Sequence, residues 1–232
     1  MKPLFSRPAV RRFLSDYLPM IAVWIIILIF AVLQKQSPVK VLPTLVTPFV
    51  MVLMAHANRV GFLVGGCNAA VYGIVFLAEG LYFSAASSLL FSFPMQIWSF
   101  FHWKKQSSEG EVELRFMSPL KTGLTVLSIL GGWALSLLFL RPLFDGAVYP
   151  ELDAYGFVSG IVVTVLFAIR YVEGQYLNLV AILIQLVMWI LIVVEKPSET
   201  NYLIITLYNL IRTAEACVRW TVQYRKKRKG AV

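Results

Sequence analysis

The chain has 232 residues, of which 59% are hydrophobic and only 14% charged, and its mean hydropathy is +0.74. A chain this apolar cannot cover a soluble surface, and its charged share lies well below the roughly 25% of soluble domains, which excludes a soluble enzyme. The net charge of +9 is therefore read first against a membrane topology and only then as a nucleic-acid stripe.

A helix needs about 20 mostly apolar residues to cross the hydrocarbon core. Eight stretches approach that length: 17–34, 41–57, 61–78, 84–103, 121–140, 157–172, 176–194 and 201–220. The apolar run Leu18–Leu33 is long for a signal peptide, and no small-x-small cleavage site follows it in Gln34–Lys40, so it is read as a span. Long alternating polar strands, the mark of a barrel, do not occur. The breaks between spans carry turn and charge chemistry. Lys35–Lys40 holds Pro38; Asn58–Arg59 and Glu79–Gly80 are tight turns; Lys104–Pro119, with Ser107, Ser108 and Gly110, reads as a solvated linker. Arg141–Tyr155 contains two prolines and three acids and reads as an outer loop, and Glu195–Thr200 contains Pro197 and Ser198. Cys67 and Cys217 both lie in apolar stretches and make no disulfide framework.

Alternating the spans from a cytoplasmic N-terminus places sixteen basic residues inside: Lys2, Arg7, Arg11, Arg12, Arg59, Lys104, Lys105, Arg115, Lys121, Arg170, Arg219 and Arg225–Lys229. The outside loops take four, Lys35, Lys40, Arg141 and Lys196, and Arg212 falls within a span. This bias predicts an even number of spans in the cell membrane, with both termini cytoplasmic. The Arg225–Lys229 tail reads as a stop-transfer anchor, with a lipid-binding patch as the alternative.

Without the first span the chain divides as three, one and three. The expected fold is thus an all-α integral membrane protein of eight helices, a 3+1+3 parallel-repeat core plus one extra N-terminal helix. Its expected divisions are 1–40 (basic N-terminus and extra helix), 41–103 (first half), 104–156 (linker, connecting helix and outer loop), 157–221 (second half) and 222–232 (basic tail). The repeat is inferred from topology, since sequence similarity between the halves is weak. Parallel repeats of this kind build small-solute transporters with the site between the halves near the midplane.

Polar side chains in hydrocarbon are expensive and usually face the bundle interior or a water-filled path. Asn68, followed by Tyr72, is either interhelical glue or part of such a path. Gln96 follows Pro94, which kinks a helix and frees carbonyls, so Gln96 either answers that kink or meets a substrate. Gln175 and Asn178 are three apart and point to one side, with Gln185 further along; they read as a substrate site or a solvated helix start. Tyr176 is the adjacent aromatic on another face and is counted with the substrate-binding candidates. Arg212 and Glu215, near Asn209, form either a self-neutralising ion pair or a gate.

No catalytic chemistry emerges. His56 and His102 lie in different spans, with no H-E-x-x-H motif, phosphate loop or G-x-S-x-G elbow, and Asp145 and Asp153 are too sparse for a metal cluster. No cofactor, metal or nucleic acid is implied. The expected partners are the lipid bilayer and a small-molecule solute.

Gly65-Gly66-Cys67-Asn68 through Tyr82, then Phe93-Pro94-Met95-Gln96 and Phe101-His102-Trp103, resemble the PnuC family of nicotinamide riboside transporters and their vitamin- and nucleoside-transporting relatives. Asp153, the Arg170-Tyr171-Val172-Glu173 step and Trp220 continue the resemblance, which spans roughly 41–222. It implies seven core helices in the 3+1+3 plan, a homotrimer, and facilitated diffusion made one-way by an intracellular kinase that phosphorylates the substrate. The chain departs from the pattern where riboside transporters carry Trp-x-x-Trp: Gln175 and Asn178 stand at those two positions, and Glu215 replaces an Asn. Nicotinamide riboside carries a cationic ring that Trp faces attract, whereas paired amides suit a neutral base edge. The leading expectation is therefore a neutral nucleoside or deoxynucleoside. The alternatives are nicotinamide riboside or thiamine, and then a membrane sensor or scaffold.

Overall fold

The computed structural model describes residues 7–106, 114–144 and 146–230. Lys2, the linker residues Ser107, Ser108 and Gly110, and Asp145 lie outside that set. So do the side chains of Arg7, Arg11, Arg12, Lys104, Lys105, Lys227, Arg228 and Lys229.

The regular structure of the described chain is helical, apart from a lone bridge between Arg115 and Tyr171. The helices are α1 (Arg7–Leu33), α2 (Pro38–Ala55), α3 (Val60–Ala78), α4 (Tyr82–Ala86), α5 (Phe93–Gln106), α6 (Pro119–Leu135), α7 (Pro150–Ala168), α8 (Glu173–Glu195) and α9 (Thr200–Gly230). A π-helical stretch, Ser87–Ser92, joins α4 to α5 into one rod, and a second, Ser136–Leu140, extends α6. Both stretches stand just ahead of a proline, Pro94 and Pro142. Proline offers no N–H and crowds the carbonyl four residues back, and the widened turn relieves that conflict.

Eight rods result, forming a membrane-spanning bundle. Five are long and apolar enough to cross a bilayer: α2, α3, α7, α8, and α6 with its extension to Leu143. Successive rods reverse direction, so α1 begins and α9 ends at the same end of the bundle. That end is marked by Trp220, whose indole N–H donates to the Met54 carbonyl (3.3 Å). The opposite end is marked by Tyr202, whose hydroxyl donates to the Lys40 carbonyl (3.1 Å).

Two boundaries differ from the expectation. The outer loop expected to run to Tyr155 stops sooner, because α7 starts at Pro150, with Glu151 and Asp153 in its first turn. Proline at the first helical position and acids beside the positive helix end favour that start, whereas a search for apolar runs discards it. At the other end, α7 stops at Ala168 rather than 172, and Arg170 adopts a left-handed backbone (φ +69°). The linker is also more than a solvated strap. Its last residues are held against this turn, with Arg115 N–H donating to the Arg170 carbonyl (2.9 Å), Val172 N–H to the Arg115 carbonyl (2.9 Å) and Met117 N–H to Glu173 Oε1 (2.8 Å).

The extra helix α1 packs along α2 and α9. Ile27 is fully buried among Val41, Ile205 and Tyr208, and the Trp24 indole donates to the Leu45 carbonyl (2.7 Å). In contrast, α6 leaves Leu120, Leu127, Leu138 and Phe139 exposed, as a lipid-facing helix would.

One acid joins two trios of rods, α2, α3 and α4–α5 in one and α7, α8 and α9 in the other, which together surround the centre. The start of α4 has no side-chain cap of its own. Asp153 of α7, fully buried, accepts the N–H groups of Phe83 (3.0 Å) and Ser84 (3.1 Å) and the Ser84 hydroxyl. Asp153→Ala strands these donors and is expected to cost at least about 2 kcal/mol. It is expected to lower the thermal midpoint of the detergent-purified protein, with Asp153→Asn, which keeps one acceptor oxygen, losing less.

Candidate functional site

A cavity of about 320 Å3 lies at the centre of the bundle. Six rods each contribute one stripe to it, at the spacing of a single helix face. These stripes include Thr47 and Met54 of α2, Phe62, Asn68, Tyr72 and Phe76 of α3, and Ser84, Ser88, Ser92 and Gln96 along the α4–α5 rod. From the other trio come Thr164 and Phe167 of α7, Gln175, Asn178, Gln185 and Trp189 of α8, and Tyr202, Thr206 and Asn209 of α9. Neither α1 nor α6 reaches it. Among the described lining residues there is no Lys, Arg, His, Asp or Glu.

Aromatic groups gather at both ends. At the Tyr202 end, Trp189 stacks on Tyr202 (centroids 4.7 Å, 14° between planes), Tyr72 stacks on Phe76 (5.3 Å), and the two pairs meet at 6.2 to 6.4 Å. At the Trp220 end, Phe62 sets its edge on Trp103 (4.6 Å) and Phe167 on Trp220 (5.6 Å).

The structure brings Asn68, Gln96, Gln175 and Asn178 to one cavity. Asn68 is also an interhelical tie. Its amide donates to the Pro43 carbonyl (3.2 Å) and to Thr47 Oγ1 (3.0 Å). Thr47 passes its own proton to the Pro43 carbonyl (2.8 Å), so the Tyr72 hydroxyl donates to Thr47 (2.9 Å). Gln96 rests against Gly65, where a Cβ would stand 2.4 Å from Gln96 Oε1. Gln175 is buried, and the Asn178 amide reaches Thr213 Oγ1 at 3.5 Å. Tyr176 does not join them: one residue along a helix turns it outward, and its hydroxyl pairs with Thr221 Oγ1 (2.8 Å).

Arg212 and Glu215 also stand outside the lining. The guanidinium of Arg212 is buried and lies 2.7 Å from the half-exposed Glu215 carboxylate; Arg219 approaches Glu215 at 4.0 Å and His56 at 2.8 Å. Sequence reasoning passed over the serines and threonines of the lining, because hydroxyls in apolar helices ordinarily bond their own backbone. It also passed over Trp189 and Tyr202 as site residues, because an aromatic in an apolar span gives no signal of its own. Asn209 is distinctive: its Oδ1 is buried and has no hydrogen-bond partner.

The family model described as "Nicotinamide mononucleotide transporter" matches residues 37–221. The chain belongs to this family. The transporter is 25% identical over 174 residues to the nicotinamide riboside transporter PnuC of Escherichia coli (strain K12), covering 64% of the chain and 72% of that relative. The PnuC of Shigella flexneri matches with the same figures. A solved structure titled "Crystal structure of the Vitamin B3 transporter PnuC" superposes with a TM-score of 0.78 at 20% identity, over 91% of this chain and 92% of the other, and shows the shared fold. The resemblance carried by Asn68, Gln96 and Trp103 thus holds, and the chain is a membrane transporter rather than an enzyme. The family match starts at the head of α2, so α1 lies outside it.

Gly65→Ala is expected to push the Gln96 amide out of its place while the flexible side chain absorbs the clash. Substrate affinity should then fall about tenfold with normal yield of folded protein, as expected for one buried hydrogen bond lost. Gly123→Ala, where nothing stands within 4 Å, is the neutral control. Binding calorimetry on both variants checks this.

Proposed function

We propose that this transporter is a facilitator for an unphosphorylated pyridine riboside, nicotinamide riboside itself being the reference substrate. The observation that carries the reading is the uncharged cavity between the two trios of rods. It has a size suited to one small ligand, and it offers amides, hydroxyls and aromatic faces. A phosphate group would be buried there with no cation among the described lining residues to meet it, a large desolvation cost. This argues for the riboside over the mononucleotide named in the family description. The names of the bacterial relatives support the same choice.

Gln175 and Asn178 are assigned to the base moiety, and Gln96 and Asn68 to the ribose or the path. Tyr176 has no place in this site. Arg212 and Glu215 are assigned to a structural ion pair at the Trp220 end. A neutral nucleoside, the leading expectation from the amides at 175 and 178, becomes the second reading.

The finer architecture is part of the same proposal. The trios α2, α3, α4–α5 and α7, α8, α9 act as parallel repeats linked by α6. Arg59, Arg115, Lys121, Arg170 and Arg219 gather at the Trp220 end, which supports a cytoplasmic assignment for that end and for both termini. A homotrimer and an intracellular kinase that traps the substrate complete the reading. The described lining holds no carboxylate to couple a proton or cation to transport, which supports passive flux.

In liposomes holding the purified protein, labelled nicotinamide riboside should equilibrate equally in both directions without ion gradients and accumulate only with a kinase inside. The mononucleotide should not compete. Accumulation against a gradient in kinase-free vesicles, or mononucleotide flux equal to that of the riboside, overturns the reading. Gln175→Ala should weaken riboside binding about tenfold, the loss of one buried hydrogen bond; unchanged affinity in the folded variant removes Gln175 from the site.

A further inference from the structure

The chain lacks the Trp pair that riboside transporters carry at the head of α8, where Gln175 and Asn178 stand, yet a cationic ring taken into an uncharged cavity needs an electronegative surface. From the aromatic wall at the Tyr202 end we infer that Trp189, Tyr202, Tyr72 and Phe76 form the specificity-determining station for a positively charged base ring. The inference rests on the proposed riboside reading and adds where, and through which residues, charge is selected.

All four rings line the cavity, and they come from three helices, α3, α8 and α9. Their mutual spacings, 4.7 to 6.4 Å between centroids, make one continuous aromatic surface rather than scattered rings. Trp189 and Tyr202 are buried, so a cation against this wall is out of water, the condition under which ring faces attract cations most strongly. Both tyrosine hydroxyls are held in place, Tyr72 on Thr47 Oγ1 (2.9 Å) and Tyr202 on the Lys40 carbonyl (3.1 Å), which fixes the ring planes. No basic side chain among the described lining residues competes for the faces. On the same face of α8, Gln185 lies one turn from Trp189, within the helical reach that lets an amide read the carboxamide of a ring stacked at the wall.

The test compares two ligands of the same shape and different charge, nicotinamide riboside and its neutral 1,4-dihydro form, by calorimetry on the full chain in detergent. The wild-type protein should bind the cation about tenfold more tightly. Trp189→Leu should abolish that preference while changing the affinity for the neutral ligand far less, and Trp189→Phe should keep most of it. Phe76→Leu, at the half-buried edge of the wall, should lower the preference in part and serves as the second probe if Trp189→Leu does not fold. Equal binding of both ligands by the wild-type protein overturns the station but leaves the riboside reading intact. Equal weakening of both ligands by Trp189→Leu assigns the wall to packing and also overturns it. Failure of the wild-type protein to bind either riboside overturns both readings.

Discussion

The bundle is keyed by a carboxylate that one trio of rods lends to the other. A helix that begins inside a membrane protein presents backbone N–H groups that neither water nor its own turns can satisfy. The α4 rod begins this way, after a turn at Gly80 (φ +75°), and Leu81 at its head has nothing to offer. Asp153 supplies the acceptors from α7. That contact fixes how deep the rod sits against α7, and so sets the register of Ser84, Ser88 and Ser92 along the cavity. Gly160 of α7 opposite Ser87 lets the two rods close, since a Cβ there would stand 3.2 Å from the Ser87 hydroxyl. The step of the α4–α5 rod into its π stretch is therefore held from both sides, by Pro94 in sequence and by α7 in space.

Within the cavity the polar groups divide by what they have left to give. Thr47, Thr164 and Thr206 each donate their proton to a carbonyl one turn back in their own helix, at 2.7 to 2.8 Å. Thr164 and Thr206 thereby present acceptor lone pairs, whereas Thr47 spends its own on Asn68 and Tyr72. Asn68 spends its amide donors on Pro43 and Thr47 and keeps its oxygen, Gln96 and Gln175 keep donor and acceptor capacity, and the Oδ1 of Asn209 is buried without a hydrogen-bond partner. A solute that passes through must satisfy these groups as water would, because unpaired polar groups in a low-dielectric site are costly. In the proposed reading, selectivity therefore rests with amides and aromatic faces rather than with charged side chains.

The helices are tied by different chemistry at the two ends of the cavity. At the Tyr202 end, Lys40 lies between Glu79 and Glu199, and Lys196 approaches Glu79 at 3.6 Å, so that ion pairs join the trios above the aromatic wall. At the Trp220 end the ties are indoles, Trp103 to the Ala168 carbonyl (3.1 Å) and Trp220 to that of Met54, set in a packed apolar cluster with Phe62 and Val172. Partly exposed ion pairs contribute little each, whereas the buried aromatic cluster carries both apolar burial and paired N–H groups.

Sequence by itself determined much of this protein. Its apolar runs gave eight rods, its prolines and charges gave the breaks, and the ordered set of Asn68, Gln96, Asp153 and Trp220 pointed to the family. Each of these is written in local composition or short spacing, which physics reads without knowing the neighbours. Only the tertiary structure decided which face of each rod meets the others. Helical periodicity states that Gln175 and Tyr176 point apart, but not which of them meets the cavity. It hid the first turn of α7, whose Asp153 serves a helix almost seventy residues earlier in the chain. It hid the aromatic wall as well, since Tyr72, Trp189 and Tyr202 are ordinary membrane residues until packing sets them side by side. The absence of a Trp pair at the head of α8 favoured a neutral substrate in the sequence. The rings at the far end of the same cavity shift that balance, because a cation responds to the faces around it and not to their order along the chain.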